Sequence, residues 1–128
     1  MSTRKRTAIL YWVLILLVLV PTAGSGIPEL FTGGPETTVA ALHALGYPLY
    51  LMKILGLAKI LGAIAIVSNR SRTLKEWAFA GFAFDLLGAT ASHLLAGDAA
   101  HAPLPFMFFA ILMAAYFLDA RRGTPPVL

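Results

Sequence analysis

The sequence predicts an all-α membrane protein: a four-transmembrane-helix bundle with a short interfacial helix in the first outer loop. Three observations lead to this fold class. Hydrophobic residues make up 59% of the 128 residues. Charged residues make up 12%, about half of their usual share in a soluble domain. The apolar residues fall into four long segments, and eight of the ten Lys and Arg lie outside them. A soluble domain of this size could not bury so much apolar surface.

The four apolar segments define the predicted spans. A bilayer core of ~30 Å needs ~20 helical residues. We therefore place spans at about 8–23, 48–67, 77–95 and 101–118 of a single domain covering residues 1–128. The fourth segment is short, and Pro103 and Pro105 suit the first turn of its helix, where a missing N–H costs little.

The segment 24–46 is the one long loop between predicted spans, and its Gly and Ser residues predict a flexible start. Residues 35–46 predict a short helix that covers the bundle at the outer interface, with a cap region at Thr32 to Gly34 and an end at Gly46. A basic start, an apolar run and small residues near Ala23 also resemble a signal peptide, so cleavage of residues 1–23 is an alternative to a first span.

The basic residues predict the orientation of the spans. They precede the first span, separate the second from the third and follow the fourth: Arg4, Lys5, Arg6, Arg70, Arg72, Lys75, Arg121 and Arg122. The other two loops contain Glu29, Glu36 and Asp98 and no Lys or Arg. Because cytoplasmic loops carry the excess of Lys and Arg, both termini are expected in the cytoplasm, with the chain in a bacterial inner membrane.

Lys59 and Asp85 are predicted to meet inside the membrane. Each lies eleven residues from the outer end of its predicted span, about 16 Å deep at 1.5 Å per residue. Ionisable residues inside a span cost about 2.5–3.5 kcal/mol each on insertion scales, so each needs a reason. A structural ion pair that fixes helix register is one interpretation. A second interpretation is a functional pair that transfers protons or anchors a ligand. In a third, Asp85 is protonated and lies at the depth of Lys59 without pairing with it.

A second polar layer is predicted nearer the outer surface, formed by Lys53, Ser92, His93 and Asp98. Lys53 can instead extend its ammonium group to the interface, and His93 can serve as an ordinary packing residue. The spacing of His93, Asp98 and His101 matches no common metal motif, and no metal site is expected.

Four glycines lie around the intramembrane pair and predict close helix packing. Gly81 and Gly88 share one face of the third span with Asp85, while Gly56 and Gly62 flank Lys59 on the second. The same faces could also enclose a quinone or lipid cleft. The chain has no cysteine, which excludes disulfides, thiolate metal sites and thiol redox chemistry.

The ordered polar residues within apolar spans resemble the DoxX-like family of small four-helix bacterial membrane proteins. The resemblance rests on Gly46-Tyr47-Pro48, Lys53-Ile54-Leu55-Gly56, Lys59-Ile60-Leu61-Gly62, Leu74-Lys75-Glu76-Trp77-Ala78, Gly81, Phe84-Asp85-Leu86, Gly88-Ala89, and Ser92-His93 to Gly97-Asp98. It covers nearly the whole chain, with residues 46–98 as its specific part. It implies a membrane protein of unassigned activity, with related members proposed to join membrane redox complexes. It supplies no catalytic residue.

Three functions follow as hypotheses. The first is a subunit or assembly partner of a membrane complex with no catalytic activity of its own. The second is a quinone-binding component of a membrane oxidoreductase, and the third is a small transporter or proton pathway formed by an oligomer. No cofactor is required by the sequence, and quinone is the small molecule considered. Besides the lipid bilayer, the expected partner is another membrane protein or a second copy. Nucleic acid is excluded because the basic residues are few and confined to loops.

Overall fold

A computed structural model describes residues 2–31, 36–48 and 50–121 of the chain. This part contains five α-helices and no strand: α1 (Thr3–Phe31), α2 (Glu36–Leu45), α3 (Tyr50–Ser68), α4 (Arg72–Leu95) and α5 (Pro103–Ala120). A 3₁₀ turn, Ala99–His101, precedes α5. The all-α class, the four helices long and apolar enough to span a membrane, and the short helix between the first two are confirmed.

The short helix α2 ends where the sequence predicted. Gly46 has a φ of +80°, and its N–H donates to the carbonyl of His43 at 3.1 Å. A residue with positive φ stops an α-helix, and glycine adopts that conformation without a steric cost. The predicted cap region, Thr32 to Gly34, lies outside the described residues.

The first helix is much longer than predicted. It continues eight residues past the predicted end at Ala23, to Phe31, through the Gly and Ser residues that were predicted as a flexible loop. The polar Ser25 is satisfied inside the helix, because its hydroxyl donates to the carbonyl of Thr22 at 2.8 Å. This extension places Glu29 in α1, and its prediction as a loop residue was wrong.

The helix α4 also begins earlier than predicted, at Arg72. Ser71 caps it by accepting a hydrogen bond from the N–H of Leu74 at 3.3 Å, an arrangement that favours a helix start. Lys75 therefore lies in the helix and not in the loop. It is buried, with its ammonium group 2.7 Å from the carboxylate of Asp119 on α5 and 2.7 Å from the amide oxygen of Asn69.

The four long helices form a closed ring in which α1 packs on α3 and α5, and α4 packs on the same two helices. One end of the ring, which we name the basic end, carries the start of α1, the link from α3 to α4 and the end of α5. The other end, named the histidine end, carries the remaining helix ends with His43, His93 and His101.

The tightly packed core fills the half of the bundle nearer the basic end. Its members are side chains of all four long helices with little or no exposure: Tyr11, Ile15, Val18, Leu19, Ile66, Phe79, Phe82, Leu86, Leu112 and Ala115. Large apolar side chains on the outside, such as Trp77, Phe84 and Leu95, are more than 70% exposed, as expected where lipid surrounds a helix. Towards the histidine end, open cavities lie between the helices in place of a packed core.

Candidate functional site

The site begins with a close approach of α1 and α3 at two glycines. A Cβ atom on Gly26 would lie 2.9 Å from the carbonyl oxygen of Gly56, and one on Gly56 would lie 2.7 Å from the carbonyl oxygen of Gly26. Both distances are shorter than a carbon–oxygen contact allows, so neither position admits a larger residue without a shift of the backbone. Small residues of this kind let membrane helices pack backbone to backbone. The sequence pattern predicts Gly56 as a packing residue and gives no such signal at Gly26.

This contact brings together an ion pair of a buried carboxylate, Glu29, and a half-buried ammonium group, Lys59. The ammonium group of Lys59 lies 3.2 Å and 3.3 Å from the two carboxylate oxygens of Glu29. The side chains of Lys59 and Glu29 are 15% and 4% exposed. Lys59 lies nine residues from Tyr50 and nine from Ser68, at the middle of α3. A buried pair whose partners are both hydrogen-bonded avoids much of the cost of two isolated charges.

The ion pair of Lys59 is made with Glu29, whereas the sequence predicted Asp85 as its partner. The ion pairs formed among the described residues do not include Asp85. Lys59 and Asp85 nevertheless lie at one level, since they line the same cavity and interact electrostatically. Glu29 takes the position closest to Lys59 because α1 packs against α3 more tightly than α4 does.

Asp85 lies in a crevice between α3 and α4. The crevice has a volume of about 310 Å³, and its lining includes Leu55, Lys59, Gly62, Trp77, Gly81 and Asp85. The crevice opens towards lipid, because its lining residues Leu61, Leu74 and Trp77 are exposed on the outer surface of the helices, Trp77 to 72%. It combines an apolar wall, an aromatic ring and two ionisable groups, which is the composition of a small-molecule site.

A larger and more open cavity, which we name the interior cavity, adjoins the crevice and shares Leu55, Lys59 and Asp85 with it. Its volume is about 450 Å³, and its lining includes Ser25, Glu29, Lys59, Asp85, His93 and His101. A smaller cavity of about 280 Å³, lined in part by Gly88 and Ser92, also reaches Asp85. Asp85 therefore lies where the lipid-facing crevice and the interior of the bundle meet.

The glycines of α3 and α4 differ in what surrounds them. A Cβ on Gly62 would meet the ring of Phe82 at 2.9 Å, so this position packs closely against α4. At Gly81 and Gly88 a Cβ would meet nothing within 4 Å. The prediction of close helix packing at these two positions is contradicted: they line the open cavities between α3 and α4.

The predicted outer polar layer is partly assembled and includes a further residue, His101. Asp98 joins two imidazoles: its oxygens lie 2.7 Å from Nδ1 of His101 and 3.0 Å from Nδ1 of His93. The hydrogen bond with His101, supported by that with His93, holds the pKa of Asp98 below its usual range. Ser92 is instead hydrogen-bonded to the hydroxyl of Tyr47, and Lys53 is exposed on α3.

The arrangement offers hydrogen-bond donation and proton exchange. Lys59 has three N–H donors, and one ammonium group can serve Glu29 and a ligand in the cavity at the same time. The carboxyl group of Asp85 faces the crevice outside this ion pair, so it can gain or lose a proton without breaking the pair. Among the described residues, no group of three or more His, Asp or Glu side chains is arranged to hold a metal ion.

Comparison with known proteins agrees with the architecture. A family model described as the DoxX-like family matches residues 13–115, from within α1 to within α5. The match includes the Glu29–Lys59 pair, Asp85 and the His93–Asp98–His101 cluster. No curated protein and no solved structure matches the chain.

Proposed function

Because this chain belongs to the DoxX-like family and carries an ionisable crevice open to lipid, we propose that it is a quinone-binding subunit of a membrane redox complex. The observation that supports this most is the position of Asp85 and Lys59 on an otherwise apolar wall beside Trp77. A quinone is membrane-soluble, has a flat ring and presents two carbonyl oxygens. Each of these features has a counterpart in the crevice.

In the proposed complex, this chain binds the quinone and exchanges protons with it. Reduction of a quinone to a hydroquinone takes up two electrons and two protons and forms two O–H bonds. A redox partner protein supplies both electrons and, at the carbonyl oxygen far from Asp85, the second proton. Lys59 donates a hydrogen bond to one carbonyl oxygen, and Asp85 exchanges a proton at that end of the ring. Trp77 and Phe82 contribute aromatic surface for the ring to pack against.

Quinone binding is expected to be saturable and to depend on Asp85. The chain has two tryptophans, so a Trp12→Phe variant leaves Trp77 as the reporter whose fluorescence a bound quinone would quench. In lipid nanodiscs we expect decylubiquinone to quench Trp77 to a plateau. Asp85→Leu should weaken the affinity about tenfold, the equivalent of one lost hydrogen bond to a polar group.

The matched control is Glu76→Gln, which changes a carboxylate at the basic end, where the hydroxyl of Tyr116 donates to it at 2.9 Å. This variant should bind decylubiquinone like the parent. Quenching that rises linearly with quinone concentration, or an affinity that Asp85→Leu leaves unchanged, would contradict the proposed function.

The proposal includes a location in a bacterial cytoplasmic membrane with both termini in the cytoplasm. It is supported by the exposed basic side chains at the basic end: Arg4, Lys5, Arg6, Arg70, Arg72 and Arg121. Lys75 is not one of these exposed basic residues, because it is buried and its charge is neutralised by Asp119. Cytoplasmic loops are enriched in such residues.

Reporter fusions test this orientation. A fluorescent protein fused to the C-terminus should fluoresce in bacterial cells, and alkaline phosphatase fused to the same position should be inactive. The opposite result with both reporters would show that the basic end faces away from the cytoplasm.

A further inference from the structure

The cluster at the histidine end connects the surface of the protein with its interior. His101 is the outer member, with a side chain that is 73% exposed, and His93 is the inner member, at 16%. Asp98 bridges them with one oxygen to each ring. An exposed imidazole, a carboxylate and a half-buried imidazole in hydrogen-bonded series can pass a proton inward, because each imidazole can both accept and donate one.

The interior cavity continues this connection towards the middle of the membrane. His93 and His101 line one part of the cavity, and Asp85, Lys59 and Glu29 line another. His93 follows Asp85 by eight residues on α4, about 12 Å along the helix axis. A cavity of about 450 Å³ with these polar groups on its walls has room and hydrogen-bond partners for several water molecules to span that distance.

Towards the basic end, the packed core closes the bundle. Tyr11, Ile15 and Val18 of α1 meet Ile66 and Leu112 there, and all five are 0% exposed. The described residues thus leave the cavity in contact with the histidine end and separate it from the basic end.

We propose that His101, Asp98 and His93 form the outer end of a proton route that runs through the interior cavity to Asp85. The inference rests on the proposed function, because the bound quinone is the group that consumes or releases the proton. In the inward direction, an N–H bond of His93 breaks, water carries the proton, and an O–H bond forms on the Asp85 carboxylate. That proton then passes to a quinone oxygen, while His93 is reprotonated through Asp98 and His101.

The charged and titratable groups around this route come from four of the elements that line the cavity. Glu29 faces it from α1, Lys59 from α3, and Asp85 and His93 from α4, with His101 in the 3₁₀ turn. The helices α2 and α5 contribute apolar side chains to the cavity: Leu42, Leu45, Leu104, Pro105 and Phe108. Glu29 and Lys59 are paired with each other, so Asp85 is the group at their level that accepts the proton arriving from His93.

The route can be tested without quinone, in vesicles where the chain has one known orientation in the membrane. Dicyclohexylcarbodiimide reacts with protonated carboxyl groups in apolar surroundings, and mass spectrometry locates the product on the peptide that contains Asp85. Vesicles are prepared from the purified chain, and a protease-sensitive C-terminal tag reports which end faces outward. Lowering the pH on the side of the histidine end should accelerate labelling of Asp85. Lowering the pH by the same amount on the side of the basic end should not.

Variants at the two ends of the bundle then show whether the acceleration depends on the proposed residues or on any loss of a charged group. Asp98→Asn should reduce the acceleration by roughly tenfold, since positioned proton donors contribute at least that much. His101→Phe should also reduce the acceleration of labelling. His101 is exposed, so this variant is expected to fold. Glu76→Gln, the same carboxylate-to-amide change at the basic end, should leave it unchanged.

Two results would overturn the inference: labelling that follows the pH at the basic end, or full acceleration in both Asp98→Asn and His101→Phe. Since the vesicles contain no quinone, a failure of this route and a failure of quinone binding are observed in different experiments. Sided labelling with no quinone binding would show that the route exists and that the proposed ligand is wrong.

Discussion

Replacing Lys59 with methionine should destabilise the protein by about 3–5 kcal/mol, the usual loss when one partner of a buried ion pair is removed. Glu29, at 3% exposure, would be left as a buried carboxylate without its ammonium partner. The free energy of unfolding, followed by helical circular dichroism during titration with sodium dodecyl sulfate in mixed micelles, measures this loss.

The same chain offers a matched control and a rescue. Lys53→Met changes an exposed lysine one and a half turns earlier on α3 and should alter stability by no more than about 0.5 kcal/mol. The double variant Glu29→Leu/Lys59→Met should recover most of the loss, because it removes both charges of the pair and keeps apolar volume. Equal losses in Lys53→Met and Lys59→Met would show that the Glu29–Lys59 pair does not stabilise the bundle.

Replacing Gly56 with alanine should destabilise the protein by about 2–3 kcal/mol, at the upper end of the range for overpacked positions. The added methyl group would lie 2.7 Å from the carbonyl oxygen of Gly26 and 3.1 Å from Cβ of Glu29. Two backbones would have to separate, and the distance between Lys59 and Glu29 would grow with them. The same unfolding titration measures the effect.

Gly88→Ala is the control for this prediction. A Cβ there meets nothing within 4 Å, and alanine favours a helix over glycine by up to about 1 kcal/mol. Gly88→Ala should therefore be neutral or stabilising. If Gly56→Ala is tolerated as well as Gly88→Ala, the close approach of α1 and α3 is not what holds Glu29 against Lys59.

The sequence predicts the four-helix architecture because hydropathy and bilayer thickness determine it residue by residue. It predicts the shared level of Lys59 and Asp85 for the same reason, since depth in antiparallel spans follows from counting. It does not predict Glu29 as the ion-pair partner. The Gly and Ser residues before Ile27 are typical of a loop when read alone, and they are helical here because Gly26 packs against Gly56. A contact of that kind joins two segments thirty residues apart and leaves no periodic signal in either.

The roles of the α4 glycines and of His101 were missed for a related reason. Helical spacing puts Gly81, Asp85 and Gly88 on one face, and the structure agrees that all three line the space beside α3. Spacing cannot tell whether a neighbouring helix fills that space or leaves it open. Likewise, His101 meets His93 through Asp98 because of the turn between α4 and α5, which includes Gly97 at a φ of +78°.

The crevice between α3 and α4 is proposed to hold a quinone, and photolabelling of the chain in a membrane can locate a bound quinone. The chain in lipid nanodiscs is irradiated with an azidoquinone, and the modified peptides are identified by mass spectrometry. We expect labels on α3 and α4 near Leu55, Gly62, Trp77 and Asp85, and their loss when excess decylubiquinone competes. Labels spread over the lipid-facing residues of α1, such as Val13 and Val20, and insensitive to competition would contradict it.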